Sequence, residues 1–361
     1  MLFNKNLIIL SSAILTSASP LEKRDSCTLT GSTTGGSGVN GCSAVIVKDV
    51  SVPAGKTLDL TGLKSGATVT FEGTTSFGYQ EWEGPLISIA GSGITVTGAS
   101  GNLIDGDGAR WWDGKGDNGK TKPKLLKLKL TGDSVVSGLK IKNSPRQVVS
   151  VNQCSDLTIH DITIDNTDGD GSGKGHNTDG FDVGSSDTVT IKNCKVYNQD
   201  DCIAVNSGKN IYFQNNYCSG GHGISIGSVG DRSDNVVDSV WFENNQVVDS
   251  DNGLRIKTVQ DATGKVNNVH FLDNEISNIA KYGIVVESDY KDGSTTGTPG
   301  SGVPITNLEI NGVTGSVASS AKRVKILVAG ASSWKWSNIK FTGGQSYSSC
   351  EGIPSGSGAS C

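Results

Sequence analysis

Asp179-Gly180-Phe181-Asp182-Val183 is one of five copies of a single template in this chain. The others are Asp201-Cys202-Ile203-Ala204-Val205, His222-Gly223-Ile224-Ser225-Ile226, Asn252-Gly253-Leu254-Arg255-Ile256 and Tyr282-Gly283-Ile284-Val285-Val286. Their first positions, 179, 201, 222, 252 and 282, are spaced 22, 21, 30 and 30 residues apart. That spacing is too regular for unrelated loops and suits successive turns of a solenoid. In each copy the third and fifth positions are apolar and the second is small, which is the alternation of a half-buried strand.

A second register runs beside the first: Asp156 to Ile159, Asp187 to Ile191, Asn210 to Phe213, Ser239 to Phe242, Asn268 to Phe271 and Asn307 to Ile310. Each turn therefore holds several short strands, with Asn, Gly, Ser and Asp at the bends, where left-handed or side-chain-capped backbone is needed. Stacked in parallel, these turns bury an aliphatic ladder. The expected fold is all-β, a single-stranded right-handed parallel β-helix, the handedness following the rule for parallel crossovers. Among 361 residues there are 49 Gly and one Met, and no run after position 15 reads as a long helix. A solenoid grows by repetition, so the length calls for one domain rather than two or three.

The first 18 residues carry Lys5, an apolar run from Leu7 to Leu15 and the small pair Ser17-Ala18, the layout of a cleavable secretory signal. The run is too short to span a bilayer. Residues 19–24, ending in Lys23-Arg24, read as a short propeptide, so that the mature chain is residues 25–361 and is secreted. Removing residues 1–24 takes the formal charge from -5 to -7. Eight cysteines in a secreted chain point to disulfides. Proximity pairs Cys27 with Cys42, Cys202 with Cys218 and Cys350 with Cys361, and leaves Cys154 and Cys194 as buried free thiols.

Polar islands sit at the template starts: Asn177-Thr178-Asp179, Asp200-Asp201, Gly221-His222-Gly223 and Arg255-Ile256-Lys257. Three carboxylates, an imidazole and two cations on one face make a site for an acidic sugar. With Asp289-Tyr290, and with the longer runs Asn177 to Asp182, Asn198 to Cys202 and Gly221 to Ser228, these islands resemble the fungal endopolygalacturonases of glycoside hydrolase family 28. The resemblance covers Cys27 to Cys361, and the yeast members look nearest. Any one island alone is weak; all five in order are specific. One departure is the stretch Val328 to Trp334, where many filamentous-fungal relatives carry a short cysteine loop.

The resemblance implies a pectin-lyase-like solenoid that hydrolyses internal α-1,4 bonds of polygalacturonate or pectin, as a monomer, with inversion and with neither cofactor nor metal. Such hydrolysis needs a proton for the leaving oxygen and a base for the attacking water. By the resemblance Asp201 is the general acid, kept protonated by its like-charged neighbours, while Asp179 and Asp200 activate the water. His222 shares the column of Asp179 and Asp201 and is expected to bond the acid or to tune its proton. Arg255 and Lys257 point the same way and can meet a sugar carboxylate, Arg as a planar fork and Lys as a point charge. Tyr290 resembles the family's substrate-contacting tyrosine. Asn177 is either a donor to a sugar hydroxyl or a turn residue.

Three features read as structural. Asp168 to Asp179 mimics a calcium loop without flanking amphipathic helices. Trp111-Trp112 reads as packing before sugar stacking. The alternating Lys120, Lys122, Lys124, Lys127 and Lys129 read as a solvated strand before a guide for a polyanion, and nucleic acid does not suit an acidic secreted chain. A pectate lyase and a β-helical adhesin are the competing classes, and a rhamnogalacturonan hydrolase the nearer rival. Gly221-His222-Gly223 beside the Asp pair opposes the lyase, the aspartate column opposes the adhesin, and Arg255 with Lys257 favours galacturonate at the cleavage point.

Overall fold

The computed structural model describes residues 26–171 and 174–361. The signal and propeptide read at 1–24 lie outside the described residues. The described chain forms one sheet of 32 strands wound into stacked coils. All named strand pairs are parallel except one, between Tyr282–Lys291 and Ser294–Thr295. Along one face run Leu126–Thr131, Val149–Asn152, Phe181–Gly184, Asp201–Val205, Gly223–Val229, Asn252–Val259 and Tyr282–Lys291. The five template copies are strands of this face, as expected. The second register forms the next face, from Ser155–His160 through Ile305–Asn311.

The template's apolar positions enter the core as predicted: Phe181, Ile203, Ile224, Leu254 and Ile284 are buried. On the second face Phe213 meets Phe242 edge-on at 6.2 Å, and Phe242 stacks on Phe271 at 4.7 Å. Bends repeat one device. Asn193, Asn215, Asn244 and Asp273 take positive φ, which short polar side chains tolerate best. The buried Asn216, Asn245 and Asn274 follow the last three of these, each later amide oxygen accepting the backbone N–H of the earlier one, at 2.9 and 3.1 Å. Buried backbone polar groups are thus satisfied coil to coil.

The small second template position has a steric cause. A Cβ on Gly253 would come within 2.5 Å of the Gly283 carbonyl oxygen, and one on Gly283 within 2.6 Å of that of Arg323. Coils stack too closely there for a side chain. Cys202 is the exception, and beside it the register slips: Asp201 pairs with Gly223, yet Ile203 pairs with Ile224. This is a β-bulge, which re-aims the residues around it. The bridges Cys27–Cys42, Cys202–Cys218 and Cys350–Cys361 are all present, and Cys154 and Cys194 are free and buried. No helix among the described residues is long and apolar enough to cross a membrane.

Candidate active site

The bulge at Cys202 decides the site. Adjacent residues on a flat strand point to opposite faces, but Asp200 stands before the strand and Asp201 at its bulged start, so both carboxyls reach one cleft. Both are buried, as is Asp179 one coil away. Asp200 Oδ1 accepts from the backbone N–H of Asp201 at 2.8 Å and contacts His222 Nδ1 at 3.0 Å. Asp201 Oδ1 accepts from Ser225 Oγ at 2.7 Å and from Arg255 Nη2, and its Oδ2 accepts from Lys257 Nζ at 3.1 Å.

Two expectations are corrected here. His222 does not bond Asp201. The bulge moves the histidine into register with Asp200, whose carbonyl also accepts the His222 N–H at 2.8 Å. Nor do like charges hold Asp201 protonated. Although burial raises its pKa, the Arg255 and Lys257 cations outweigh burial and the Asp200 charge and leave Asp201 below the ordinary carboxylate range. Burial likewise opposes ionisation of Asp200, and the His222 hydrogen bond and charge with the two cations overcome it. His222 is in turn raised above 6.5, the Asp200 bond prevailing over burial. Asp179 is pushed well up, by burial first and then by Asp200, Asp182 and Asp201. Its Oδ1 is buried with no hydrogen-bond partner among the described residues.

Asn177 is tied at both ends. Its Oδ1 accepts the Asp117 N–H at 3.1 Å and its Nδ2 donates to Asp200 Oδ2 at 3.3 Å, so it joins the loop at 113–120 to the Asp200 carboxylate. Lys257 Nζ stands 5.4 Å from the centre of the Tyr290 ring. Asp200, Asp201 and His222 offer three ligand-type atoms within 4.8 Å. A metal ion there would have to displace the two cations already on Asp201 and meet their repulsion. On either side of these residues the cleft stays open. Towards the N-terminal coils lies a cavity of about 430 Å³ lined by Lys124, Arg146, Asp182 and Arg232 among others. Towards the C-terminal coils a smaller one, about 160 Å³, is lined by His222, Arg255, Lys281, Tyr282 and Lys325 among others.

Residues 42–361 match the model of glycosyl hydrolases family 28. The chain belongs to that family. It is 65% identical to a polygalacturonase of Saccharomyces cerevisiae, each covered over 100% of its length. It is 57% identical to endopolygalacturonase B of Emericella nidulans, over 97% of this chain and 96% of that one. Among solved structures, endopolygalacturonase I from Stereum purpureum, complexed with two galacturonate, matches with a TM-score of 0.81 and 42% identity, over 89% of this chain and 95% of that one.

In this family 28 chain the features discounted from sequence are built into the frame. Trp111 and Trp112 are buried, their indole N–H groups donating to the carbonyls of Gln80 and Ser144. Asp168 pairs with Lys142 at 3.0 Å and Asp170 accepts from Gln199 at 2.8 Å. The lysine stretch divides. Lys122 is buried against Asp113 at 2.8 Å, while Lys124 lines the larger cavity. Ser225 escaped the sequence reading, although its place in the Arg255 column was a usable signal. Arg146 and Arg232 escaped it too, because they lie outside the template and meet only in space.

Proposed function

We propose that this chain is a secreted, monomeric enzyme that hydrolyses internal α-1,4-galacturonosyl bonds of polygalacturonate with inversion. The observation that carries the reading is a carboxylate cluster with two clustered cations in a cleft open at both ends. Cations suit an acidic sugar, and a polymer can pass through rather than stop. The names of the family relatives agree. A lyase would need a cation at the carboxylates, where Arg255 and Lys257 stand.

The roles follow from the electrostatics. Asp200, held ionised by His222 and the two cations, suits the base that orients water, with the unpartnered oxygen of Asp179 one coil away. His222, raised by its bond to Asp200 and partly exposed, exchanges protons with solvent at mildly acidic pH. Asp201 is the carboxyl that delivers a proton to the leaving oxygen: once a sugar carboxylate draws Arg255 and Lys257 onto itself, the two cations no longer hold Asp201 ionised. Arg255 and Lys257 hold the sugar carboxylate, and Tyr290 packs by the sugar. The closest oxygens of Asp200 and Asp201 lie within 4.8 Å, nearer than the roughly 6.5–9.5 Å of most inverting pairs. Both oxygens of Asp200 are already engaged, which suits it poorly to covalent attack.

Asparagine variants of the three aspartates separate the roles on a galacturonosyl fluoride, whose leaving group needs little protonation. Asp201→Asn should lose about 10² to 10⁴-fold on polygalacturonate and recover most of that on the fluoride. Asp200→Asn should recover nothing. Rescue of Asp200→Asn alone would move the acid role to Asp200. Proton NMR of fresh product should show the β anomer first, and a rapid fall in viscosity relative to reducing ends released marks internal cleavage. An initial α anomer would exclude inversion.

A further inference from the structure

Asp200, His222, Asp251 and Lys281 stand in one row at a single bend of successive coils, and once the histidine is protonated their charges alternate in sign. The backbone sets the row: His222 N–H donates to the Asp200 carbonyl, Asp251 N–H to that of Gly221 and Lys281 N–H to that of Asp251, at 2.8, 2.8 and 2.7 Å. The side chains follow it. His222 Nδ1 meets Asp200 Oδ1 at 3.0 Å, and its Nε2 faces Asp251 Oδ2 at 3.6 Å. The same oxygen of Asp251 holds Lys281 Nζ at 2.7 Å. The first contact belongs to the catalytic cluster, and the other two extend it by one coil each.

A neutral imidazole has one N–H and cannot serve a carboxylate at each nitrogen, whereas an imidazolium can. The two-sided clamp therefore favours the charged ring. Among the other groups around it, burial disfavours the charge, Asp200 and Asp201 favour it and Arg255 opposes it. Glu287 and Lys325, across the small cavity that His222 shares with Lys281 and Tyr282, are paired with each other at 2.8 Å. Asp251 is thus the carboxylate that faces the ring on the side away from Asp200. We propose that Asp251 is a positioning residue: it keeps His222 protonated, and so preserves the Nδ1–H bond that holds Asp200 ionised, while Lys281 weakens this hold by competing for the same Asp251 oxygen.

His222 is charged below its pKa and loses its charge as pH rises through it. Asp251 moves that loss to higher pH, and Lys281 moves it part of the way back. The basic limb of the pH profile should follow both, while the acidic limb, where the ring is charged in every variant, should move least. The side chains of Asp251 and Lys281 are 30% and 62% exposed, so water screens each effect, and a shift of about half a pH unit is the expected size. The inference rests on the polygalacturonate reading for its kinetic consequence only, since the ring titrates without substrate.

The test follows the imidazole C–H resonances of the 4 histidines by NMR across pH, with His222→Gln identifying the signal of His222 by its loss. Asp251→Asn should lower the His222 midpoint by about half a unit, and Lys281→Met should raise it by about as much. The basic limb of kcat/KM on polygalacturonate should move down in the first variant and up in the second. Thermal midpoints measured alongside confirm that the variants are folded. A His222 midpoint that moves in neither folded variant, or in the same direction in both, would overturn the proposal, as would a loss of activity uniform across pH. A midpoint that moves while the basic limb stays put would break the route from Asp251 to Asp200. Wild-type protein inert on polygalacturonate would sink the polygalacturonate reading itself and leave the titration result standing.

Discussion

Lys257 has two demands on it: it donates to Asp201 and stands over Tyr290, at the place where a sugar carboxylate would bind. From sequence alone it answers only to the substrate, so its loss would be silent on esterified pectin. The Asp201 bond changes that expectation. Lys257→Met should slow cleavage of polygalacturonate and of esterified pectin alike, with a further loss on the former. A charge-assisted bond worth about 1.5 to 3 kcal/mol corresponds to roughly ten- to a hundredfold or more. With one cation gone, the depressed Asp201 pKa must rise. For a general acid the protonated form is the active one below that pKa, so the basic limb of the pH profile should move to higher pH. A limb that stays put would show that Lys257 does not hold Asp201 ionised. Asp179, Asp200, Asp201, His222, Arg255 and Lys257 stand close together, as the islands suggest, because residue type and template position are printed in the chain. The partner of His222 was not legible. A period-two alignment assumes an even ladder, and one extra residue at Cys202 shifts the histidine from Asp201 to Asp200.

At the level of elements, that bulge depends on a strand whose second position carries a side chain where the other copies carry glycine. Its Cys202 is bridged to Cys218 on the strand Tyr217–Ser219, which leads into the bend before His222. One covalent link therefore fixes the start of the strand bearing Asp201 and the approach to its histidine. Closing a loop of 16 residues restricts the unfolded chain by about 3 kcal/mol in the chain-entropy account. Replacing both cysteines with alanine should lower stability by about that amount in urea titration. It should also cost activity at temperatures where the fold persists, since the bulge that aims Asp200 and Asp201 is then loosened. Full activity in the folded double variant would show that coil stacking alone sets the bulge. The strands were readable from the repeat, and the bridges from proximity along the chain. The closeness of Lys124, Arg146 and Arg232 was not, because they come from separate coils and share no template position.

At the scale of the whole molecule, the chain and its polymer carry the same sign. The formal charge is -5, yet the cleft gathers Arg255, Lys257 and, farther along, Lys124, Arg146 and Arg232. Long-range repulsion and local attraction respond differently to salt. The Debye length is about 30 Å at 0.01 M and about 10 Å at 0.1 M, so the first increments of salt screen charges spread over the surface, while half-buried pairs in the cleft are screened much less. On long polygalacturonate, kcat/KM should therefore rise from about 0.01 M to about 0.1 M sodium chloride, as approach becomes easier. It should fall again towards about 1 M, where the Debye length of about 3 Å reaches into the cleft. A galacturonate trimer carries too few charges to feel the wider field, so its kcat/KM should only fall. The measurement is the salt dependence of kcat/KM on both substrates at fixed pH, with kcat followed separately, since saturated turnover does not include the approach step. A steady decline on the polymer from the lowest salt upward would mean that the cations of the cleft outweigh the acidic remainder at every distance.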